Sequence, residues 1–270
     1  LKKGAPEAGG GSTSHHPTSH RVYGELLSGI SIGDLVIFIM LYADDVVLLA
    51  PSRQVLQKLL SLLQSFCEDS GMRVNLKKSK VVIFKGPPTK NTVPATALKF
   101  YESVVEIVPF YKYLGVLYDE KLTFQQHVDY ALLKARKASF ALFKYLNSFK
   151  NMSIVLKIRL YKTLVLSVLL YNVEIWGPQL TKSRMAQLEA FHRSNLKRII
   201  MVNKKFPNDA VYFISGEMTI ESIVRGRVLK FLLKLRDRSD HNNVKLFIPV
   251  VKDLLSTAST RYCKFVANIL

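Results

Sequence analysis

The sequence predicts an α+β protein in which a small antiparallel β-region precedes a mainly helical region. Two short apolar runs, Leu35–Leu41 and Val46–Ala50, flank the tetrapeptide Tyr42-Ala43-Asp44-Asp45, which is the pattern of a β-hairpin. Beyond Lys121 the apolar residues recur at helical spacing instead. The length of 270 residues and the 49% hydrophobic content provide a core for one large domain or two small ones.

Four segments follow from composition and periodicity. Residues 1–31 are rich in Gly, Ser and His and are expected to be a disordered or degenerate N-terminal segment. Residues 32–120 hold the hairpin, a helix capped by Ser52 and ended by Gly71, a strand over Met72–Phe84, a polar loop over 89–98, and one or two strands around Gly115. Residues 121–202 and 203–270 are expected to be helical, including a tail from Val244.

The net positive charge indicates which class of partner the protein binds. The net charge is +19 with a pI near 9.9, and residues 121–202 alone carry a net +11. Such an excess predicts a polyanionic partner, with nucleic acid favoured over an acidic membrane surface. Two aspartates at the centre of the short apolar stretch argue against a membrane span. The distant Cys67 and Cys263 fit a reducing, intracellular compartment, nuclear or cytoplasmic.

The adjacent carboxylates of Asp44 and Asp45 carry the chemical prediction. They repel each other, so a bound cation explains the pair well. Magnesium is expected, with manganese as the alternative ion, because hard oxygen ligands and substrate phosphates hold such cations. This is the chemistry of two-metal phosphoryl transfer. The plainer alternative is an ordinary hairpin turn, in which Asp is a favoured residue.

The order of motifs resembles the reverse transcriptases of non-LTR (LINE-type) retrotransposons. The resemblance rests on Tyr42-Ala43-Asp44-Asp45, on Gly71-Met-Arg-Val-Asn75-Leu-Lys-Lys78-Ser-Lys80, on Tyr111-Lys-Tyr-Leu-Gly115-Val, and on Leu160–Tyr171 followed by Glu174-Ile-Trp176-Gly177. It implies part of an antiparallel palm sheet over 32–120, a helical thumb over 121–202 and a helical C-terminal extension. It also implies RNA-directed DNA synthesis with an RNA template, a DNA primer or RNA–DNA duplex, and deoxynucleoside triphosphates.

The resemblance also implies residue roles. Asp44 would bind the catalytic metal with Asp45 as its weaker partner, and Tyr42 and Ala43 would lie against primer terminus and template. Lys78 would protonate departing pyrophosphate, with Lys77 and Lys80 as competing choices and a solvated strand end as the alternative. Tyr113, Leu114 and Gly115 would belong to a primer grip, or simply form a tight turn. The thumb contacts would come from Lys134, Arg136, Lys137, Arg193, Lys197 and Arg198.

One departure from the family pattern determines which alternative functions are considered. Polymerases of this type need a further aspartate on an earlier palm strand, and no residue in this sequence matches it. We therefore expect these 270 residues alone to be inactive, and the alternative function is a catalytically dead, basic nucleic-acid-binding remnant of a decayed retroelement. A membrane-surface basic protein is a third, weaker alternative. Trp176 is expected to pack in the core rather than to stack on a base.

Overall fold

The computed structural model describes residues 29–32, 35–84, 97–149 and 151–237. Most of the expected N-terminal segment and of the polar loop over 89–98, and the whole of the helical tail from Val244, lie outside these ranges. Two compact units contain the described residues. The first draws on Leu1–Val74 and Thr96–Val104, and the second on Asn75–Ala95 and Val105–Leu270.

The described residues of the first unit form three antiparallel strand pairs and one helix. Its elements are β1 (Ile30–Ile32), β2 (Leu35–Ile37), β3 (Ile39–Tyr42), β4 (Asp45–Leu48), α1 (Arg53–Ser70), β5 (Lys99–Phe100) and β6 (Ser103–Val104), with β1 paired to β2, β3 to β4 and β5 to β6. Helix α1 begins where the Ser52 hydroxyl accepts the Val55 N–H and ends at Gly71 with φ +67°. Both boundaries follow the predicted capping residues. The Gln57 side chain exchanges two 2.8 Å hydrogen bonds with the Lys99 backbone and so ties β5 to α1.

The second unit is a β-hairpin packed into a helical core. Its strands are β7 (Phe110–Tyr113) and β8 (Val116–Asp119), paired antiparallel. Its helices are α2 (Gln125–Ser148), α3 (Ile154–Tyr161), a π-helical stretch (Lys162–Leu166), α4 (Ser167–Leu169), α5 (Val173–Trp176), a 3₁₀ turn (Gly177–Gln179), α6 (Lys182–Ile199), α7 (Asn208–Ser215) and α8 (Ile220–Asp237). The sequence interpretation as a mixed α+β chain is confirmed.

Residues of β8 belong to the helical core, although the change of periodicity comes after them, at Lys121. Val116 is 1% exposed and packs in the same cluster as Val128 and Trp176. The Asp119 carboxylate accepts the backbone N–H groups of Lys121, Thr123 and Phe124, which fixes the hairpin to the start of α2. Burial opposes ionisation, but these hydrogen bonds lower the pKa of Asp119 overall.

The predicted strand over Met72–Phe84 is wrong. The segment turns at Asn75, whose backbone carbonyl accepts the N–H groups of both Lys78 and Ser79 at 3.0 Å. Only Val81 makes a β-type contact, an isolated parallel bridge to Ile107. Met72 is 52% exposed, so the apolar alternation there does not mark a face buried in a sheet.

The core of the second unit is built from apolar helix faces and a few enclosed polar side chains. Trp176 is fully buried, as expected, and its indole N–H donates to the Tyr171 carbonyl at 2.9 Å. Tyr161 and His192 are also fully buried and hydrogen-bonded to each other at 2.8 Å. None of the described helices is both long enough and apolar enough to cross a bilayer.

Candidate catalytic turn and nucleic-acid-binding surface

The two aspartates lie at the closed end of the β3–β4 hairpin. Tyr42 pairs with Asp45, so that Ala43 and Asp44 form a two-residue turn. Ala43 adopts φ +53°, a left-handed conformation that such turns normally give to Gly, Asn or Asp. A non-glycine residue pays about 1–2 kcal/mol for that conformation. Local strain of this kind is concentrated at functional sites, and it motivates a functional interpretation of this turn.

The carboxylates of this turn face solvent. Asp44 and Asp45 are both exposed, and Tyr42 is 63% exposed beside them. Two exposed, adjacent carboxylates suit a hard cation that keeps several water ligands. Across the described ranges, however, no group of three or more His, Cys, Asp or Glu side chains is placed to hold a metal ion. The turn therefore offers two carboxylates, fewer than the three or more side chains of such a group.

The lysines predicted for pyrophosphate protonation differ in their surroundings. Lys80 forms an ion pair with Glu106 at 2.5 Å and its side chain is only 21% exposed. Lys77 and Lys78 are exposed. The Lys78 backbone is held in place, because its carbonyl accepts the Tyr111 hydroxyl at 2.6 Å. Their exposed ammonium groups favour Lys78 and Lys77 over Lys80 as a proton donor, and the role itself stays a prediction.

The predicted primer-grip residues form the tip of the β7–β8 hairpin. Tyr113 pairs with Val116, and the intervening Leu114 and Gly115 adopt φ +45° and +86°. A Cβ at Gly115 would lie 2.7 Å from Cε1 of Tyr171, so the tyrosine ring occupies the space beside the glycine. The Tyr171 hydroxyl donates to the Leu114 carbonyl at 3.4 Å. Glycine is required here by both its backbone conformation and its close neighbour.

The predicted basic contacts fall into two groups. On α2, Lys134, Arg136 and Lys137 are all exposed, and of these Lys134 lies 4.7 Å from the centre of the Tyr130 ring. On α6 the cations have partners within the protein. Lys197 donates to the carbonyls of Lys204 and Phe206 at 2.8 and 2.6 Å, and the Arg198 guanidinium lies 3.9 Å from the centre of the Phe143 ring. Helix α2 thus presents the more available charge.

Arg193 is half-buried, and its hydrogen bond to Tyr212 opposes the rise in the Tyr212 pKa that burial causes. Arg193, Lys197 and Arg198 therefore all make contacts within the protein, which gives these cations of α6 a structural role. Direct phosphate contacts by these three residues remain a prediction.

Sequence reasoning missed an aromatic side chain on the exposed face of α2. Phe140 is 73% exposed. The exposed cations Arg136, Lys137 and Lys144 lie three or four residues away, which places them on the same side of the helix. The exposure of Phe140 could have been predicted from the sequence, because this residue lies off the apolar stripe formed by Val128, Leu132 and Leu142. Aromatic rings among cations are typical of surfaces that bind single-stranded nucleic acid.

Comparison with known proteins gives this arrangement a context. Residues 18–118 match the family model described as reverse transcriptase (RNA-dependent DNA polymerase). The chain is 26% identical over 170 residues to the RNA-directed DNA polymerase from mobile element jockey of Drosophila melanogaster. By these matches the chain is similar to the reverse transcriptases of non-LTR retrotransposons.

Two further relatives agree. The probable RNA-directed DNA polymerase from transposon BS of Drosophila melanogaster is 28% identical over 182 residues, and the jockey polymerase of Drosophila funebris is 25% identical over 178 residues. The aligned regions are 60–65% of this chain but only 18–19% of the three polymerases. The chain therefore spans about a fifth of the length of the curated relatives it matches. No solved structure gives a significant match.

Proposed function

We propose that this chain is part of an RNA-directed DNA polymerase of a non-LTR retrotransposon, with Asp44 and Asp45 as ligands of the catalytic magnesium. The reaction is attack of a primer 3′ hydroxyl on the α-phosphate of a deoxynucleoside triphosphate, with pyrophosphate as the leaving group. The observation that carries the proposal is the adjacent, exposed carboxylate pair on a strained turn between two paired strands, inside the segment that matches the family model.

When bound, magnesium or manganese would neutralise the charge that develops on the transferred phosphate. The protein's own residues have separate tasks. Asp44 and Asp45 bind the cation, Tyr42 and Ala43 lie along the primer terminus and template, and Lys78 donates a proton to pyrophosphate. Residues 32–120 belong to the palm, 121–202 form the thumb and 203–270 form an extension.

The number of metal ligands that these 270 residues can position limits the catalysis expected of them alone. Phosphoryl transfer depends almost entirely on placement and charge stabilisation. Two metal ions about 4 Å apart need ligands from both sides of the substrate. Asp44 and Asp45 offer two carboxylates, and the described residues contain no group of three potential ligands. We therefore expect weak, metal-dependent nucleotide binding by these 270 residues and no robust polymerisation.

Primer extension on an RNA template tests the proposal. The 270-residue chain is compared with a chimera in which the preceding palm and fingers of a jockey-type relative are joined ahead of Ile30. We expect extension by the chimera only, abolished by Asp44→Asn. Asp69→Asn is the matched control, because Asp69 is an exposed carboxylate near the end of α1. Equal extension by the chimera and its Asp44→Asn variant would contradict the proposed metal ligand.

A second candidate function is nucleic-acid binding without catalysis. It is favoured by the basic and aromatic face of α2, which needs no metal. A chimera that binds an RNA–DNA duplex through α2 but never extends a primer supports this alternative. Extension that depends on Asp44 excludes it.

A further inference from the structure

A patch of exposed apolar side chains lies on α7 and just after it. One side of α7 packs into the second unit, because Val211 and Ser215 are buried. Away from that side, Phe213 is 89% exposed and Ile214 is 51% exposed, and Met218, which follows the helix, is 60% exposed. These last three side chains are called the α7 patch. Neighbouring apolar groups left in water are typical of an interaction surface.

The charge around the α7 patch differs in sign from that of the chain as a whole. Residues 206–224 contain three acidic residues and neither Lys nor Arg, although the chain carries a net charge of +19. Asp209 is exposed and lies one helical turn before Phe213, on the same side of α7. The other two acidic residues, Glu217 and Glu221, form ion pairs with Lys162 and Arg225. This surface therefore favours an apolar partner with basic residues over a polyanion.

A complementary apolar stripe is present in the sequence after α8. It consists of Val251, Leu255, Ala258, Tyr262, Phe265 and Ile269. Successive members are separated by alternating steps of four and three residues, which places them on one side of a helix. Residues 250–270 carry three basic residues against one aspartate. They lie outside the described ranges, and the stripe is predicted from the sequence alone.

The length of the chain allows this stripe to reach the α7 patch. Helix α8 begins two residues after Met218, and its 18 residues span about 27 Å. A helix over 250–270 would span about 30 Å, so it can run back along α8 once the chain has reversed over 238–249. Pro249 suits the start of such a helix, where no backbone N–H is needed. Both segments belong to the second unit.

The far part of α8 also has an uncovered apolar side. Val224 and Val228 are fully buried. Phe231 and Leu235 continue the same side of the helix, yet Phe231 is 39% exposed and Leu235 is only half-buried. A second helix lying along α8 therefore has apolar surface to pack on before it reaches the α7 patch.

We propose that residues 250–270 form an amphipathic helix that packs its apolar stripe on the α7 patch of the same molecule. The stripe covers Phe213, Ile214 and Met218, and the basic residues beside it lie towards Asp209. This role goes beyond the proposed polymerase function, because it makes the C-terminal residues a clamp that holds α7 and α8 together.

Oxidation of methionine by hydrogen peroxide tests the proposal in the 270-residue chain. Peroxide converts accessible thioethers to sulfoxides, and Met218 and Met201 have similar exposures in the described residues, 60% and 74%. If the helix covers the α7 patch, Met218 should oxidise several-fold more slowly than Met201, as measured by mass spectrometry of proteolytic peptides. Equal rates at the two methionines would overturn the proposal.

Two double variants identify what protects Met218. Leu255→Asp with Phe265→Asp should raise its oxidation rate to that of Met201, because charged side chains do not pack on an apolar surface. Ser256→Asp with Thr260→Asp is the matched control, since it adds the same charge on the opposite side of the helix and should leave Met218 protected. Equal oxidation of Met218 in the two double variants would overturn the assignment of the stripe.

The reciprocal experiment changes the α7 patch and reads the C-terminal segment. Phe213→Asp should speed chymotrypsin cleavage after Tyr262 and Phe265 about tenfold, because cleavage follows the population of the undocked segment. Phe140→Asp, which changes an exposed phenylalanine of α2, is the control and should leave the rate unchanged. Cleavage at the parental rate in Phe213→Asp would overturn the proposal. Protection of Met218 that is lost on dilution would assign the patch to a second molecule and overturn docking within one chain.

Discussion

At the scale of single residues, the second unit encloses two histidines that must stay neutral. His192 donates and accepts within the core, with Tyr161 on one nitrogen and the Met218 carbonyl 3.1 Å from the other. For Nε2 of His127, no hydrogen-bond partner lies among the residues that the structure describes. Burial lowers the pKa of each ring below its ordinary value. Protonation therefore competes with folding.

This competition predicts an acid-sensitive second unit. The folded pKa values lie below the unfolded value near 6.5, so the unfolded chain binds more protons as pH falls. Stability should be intact above about pH 6.5 and should decline between there and about pH 4, by about 2 kcal/mol at pH 5 from His127 alone. Urea unfolding at pH 7 and pH 5, followed by fluorescence of the sole tryptophan, Trp176, measures the difference.

The variants His127→Gln and His192→Gln provide the comparison. Glutamine retains hydrogen-bonding capacity without titrating, so each variant should lose less stability between pH 7 and pH 5 than the parent chain. The slope matters here, not the stability at one pH, because either substitution also changes packing. A pH dependence unchanged in both variants would assign the acid sensitivity to carboxylates.

Elements were predictable from sequence where one local rule determines them. Ser52 and Gly71 mark the ends of α1 because capping involves only neighbouring residues. The helices after Lys121 follow their apolar period. Met72–Phe84 was not predictable, because its apparent alternation gives way to a turn at Asn75 and one bridge to a distant residue, Ile107.

The candidate site shows the same division. The carboxylate turn could be predicted from Asp44 and Asp45 and their apolar flanks, since a hairpin is a local structure. The meeting of Lys112 and Lys134 at Tyr130 could not, because these two lysines are separated along the chain by a turn, a strand and part of a helix. The contacts of Lys197 with the loop after α6 are likewise tertiary. The sequence shows where the charged residues lie along the chain, but it does not show which groups they contact in the folded protein.

The tip of the β7–β8 hairpin gives a prediction at the scale of an element. Gly115→Ala should destabilise the second unit more than Gly216→Ala. Both glycines have positive φ, +86° and +67°, so both substitutions carry backbone strain of about 1–2 kcal/mol. Only Gly115 faces a close neighbour, because a Cβ there lies 2.7 Å from Tyr171, whereas Gly216 has nothing within 4 Å. Urea unfolding followed by Trp176 fluorescence compares the two.

A second substitution isolates the cause. If the contact with Tyr171 produces the extra loss, Gly115→Ala should cost no more than Gly216→Ala in a Tyr171→Ala background. A penalty that persists there would mean that the hairpin tip needs glycine for its backbone alone.

At the scale of the whole molecule, charge is concentrated on particular elements. The net charge is +19, yet several cations are engaged internally, such as Arg184 with Asp129, Lys162 with Glu217, and Lys197 with backbone carbonyls. Exposed cations of α2 are the better candidates for phosphate contacts. Net charge therefore predicts the class of partner. The cations that already have partners within the protein are poorer candidates for phosphate contacts, which leaves the exposed face of α2 as the expected binding surface.

The final prediction concerns how salt weakens binding to an RNA–DNA duplex. Phosphate contacts release counterions, so affinity should fall steeply with salt, with a slope of about −0.9 per contact in a log–log plot for duplex DNA. Neutralising Arg136, Lys137 and Lys144 together should make the slope shallower by up to about 2.7. The same number of charges removed at Lys204, Lys205 and Lys230, which are also exposed, should change it less. Phe140→Ala should weaken binding to a single strand at an unchanged slope, because stacking releases no ions. Fluorescence anisotropy between about 50 and 200 mM salt measures these slopes, and equal flattening by both triple variants would show that binding follows net charge and not the face of α2.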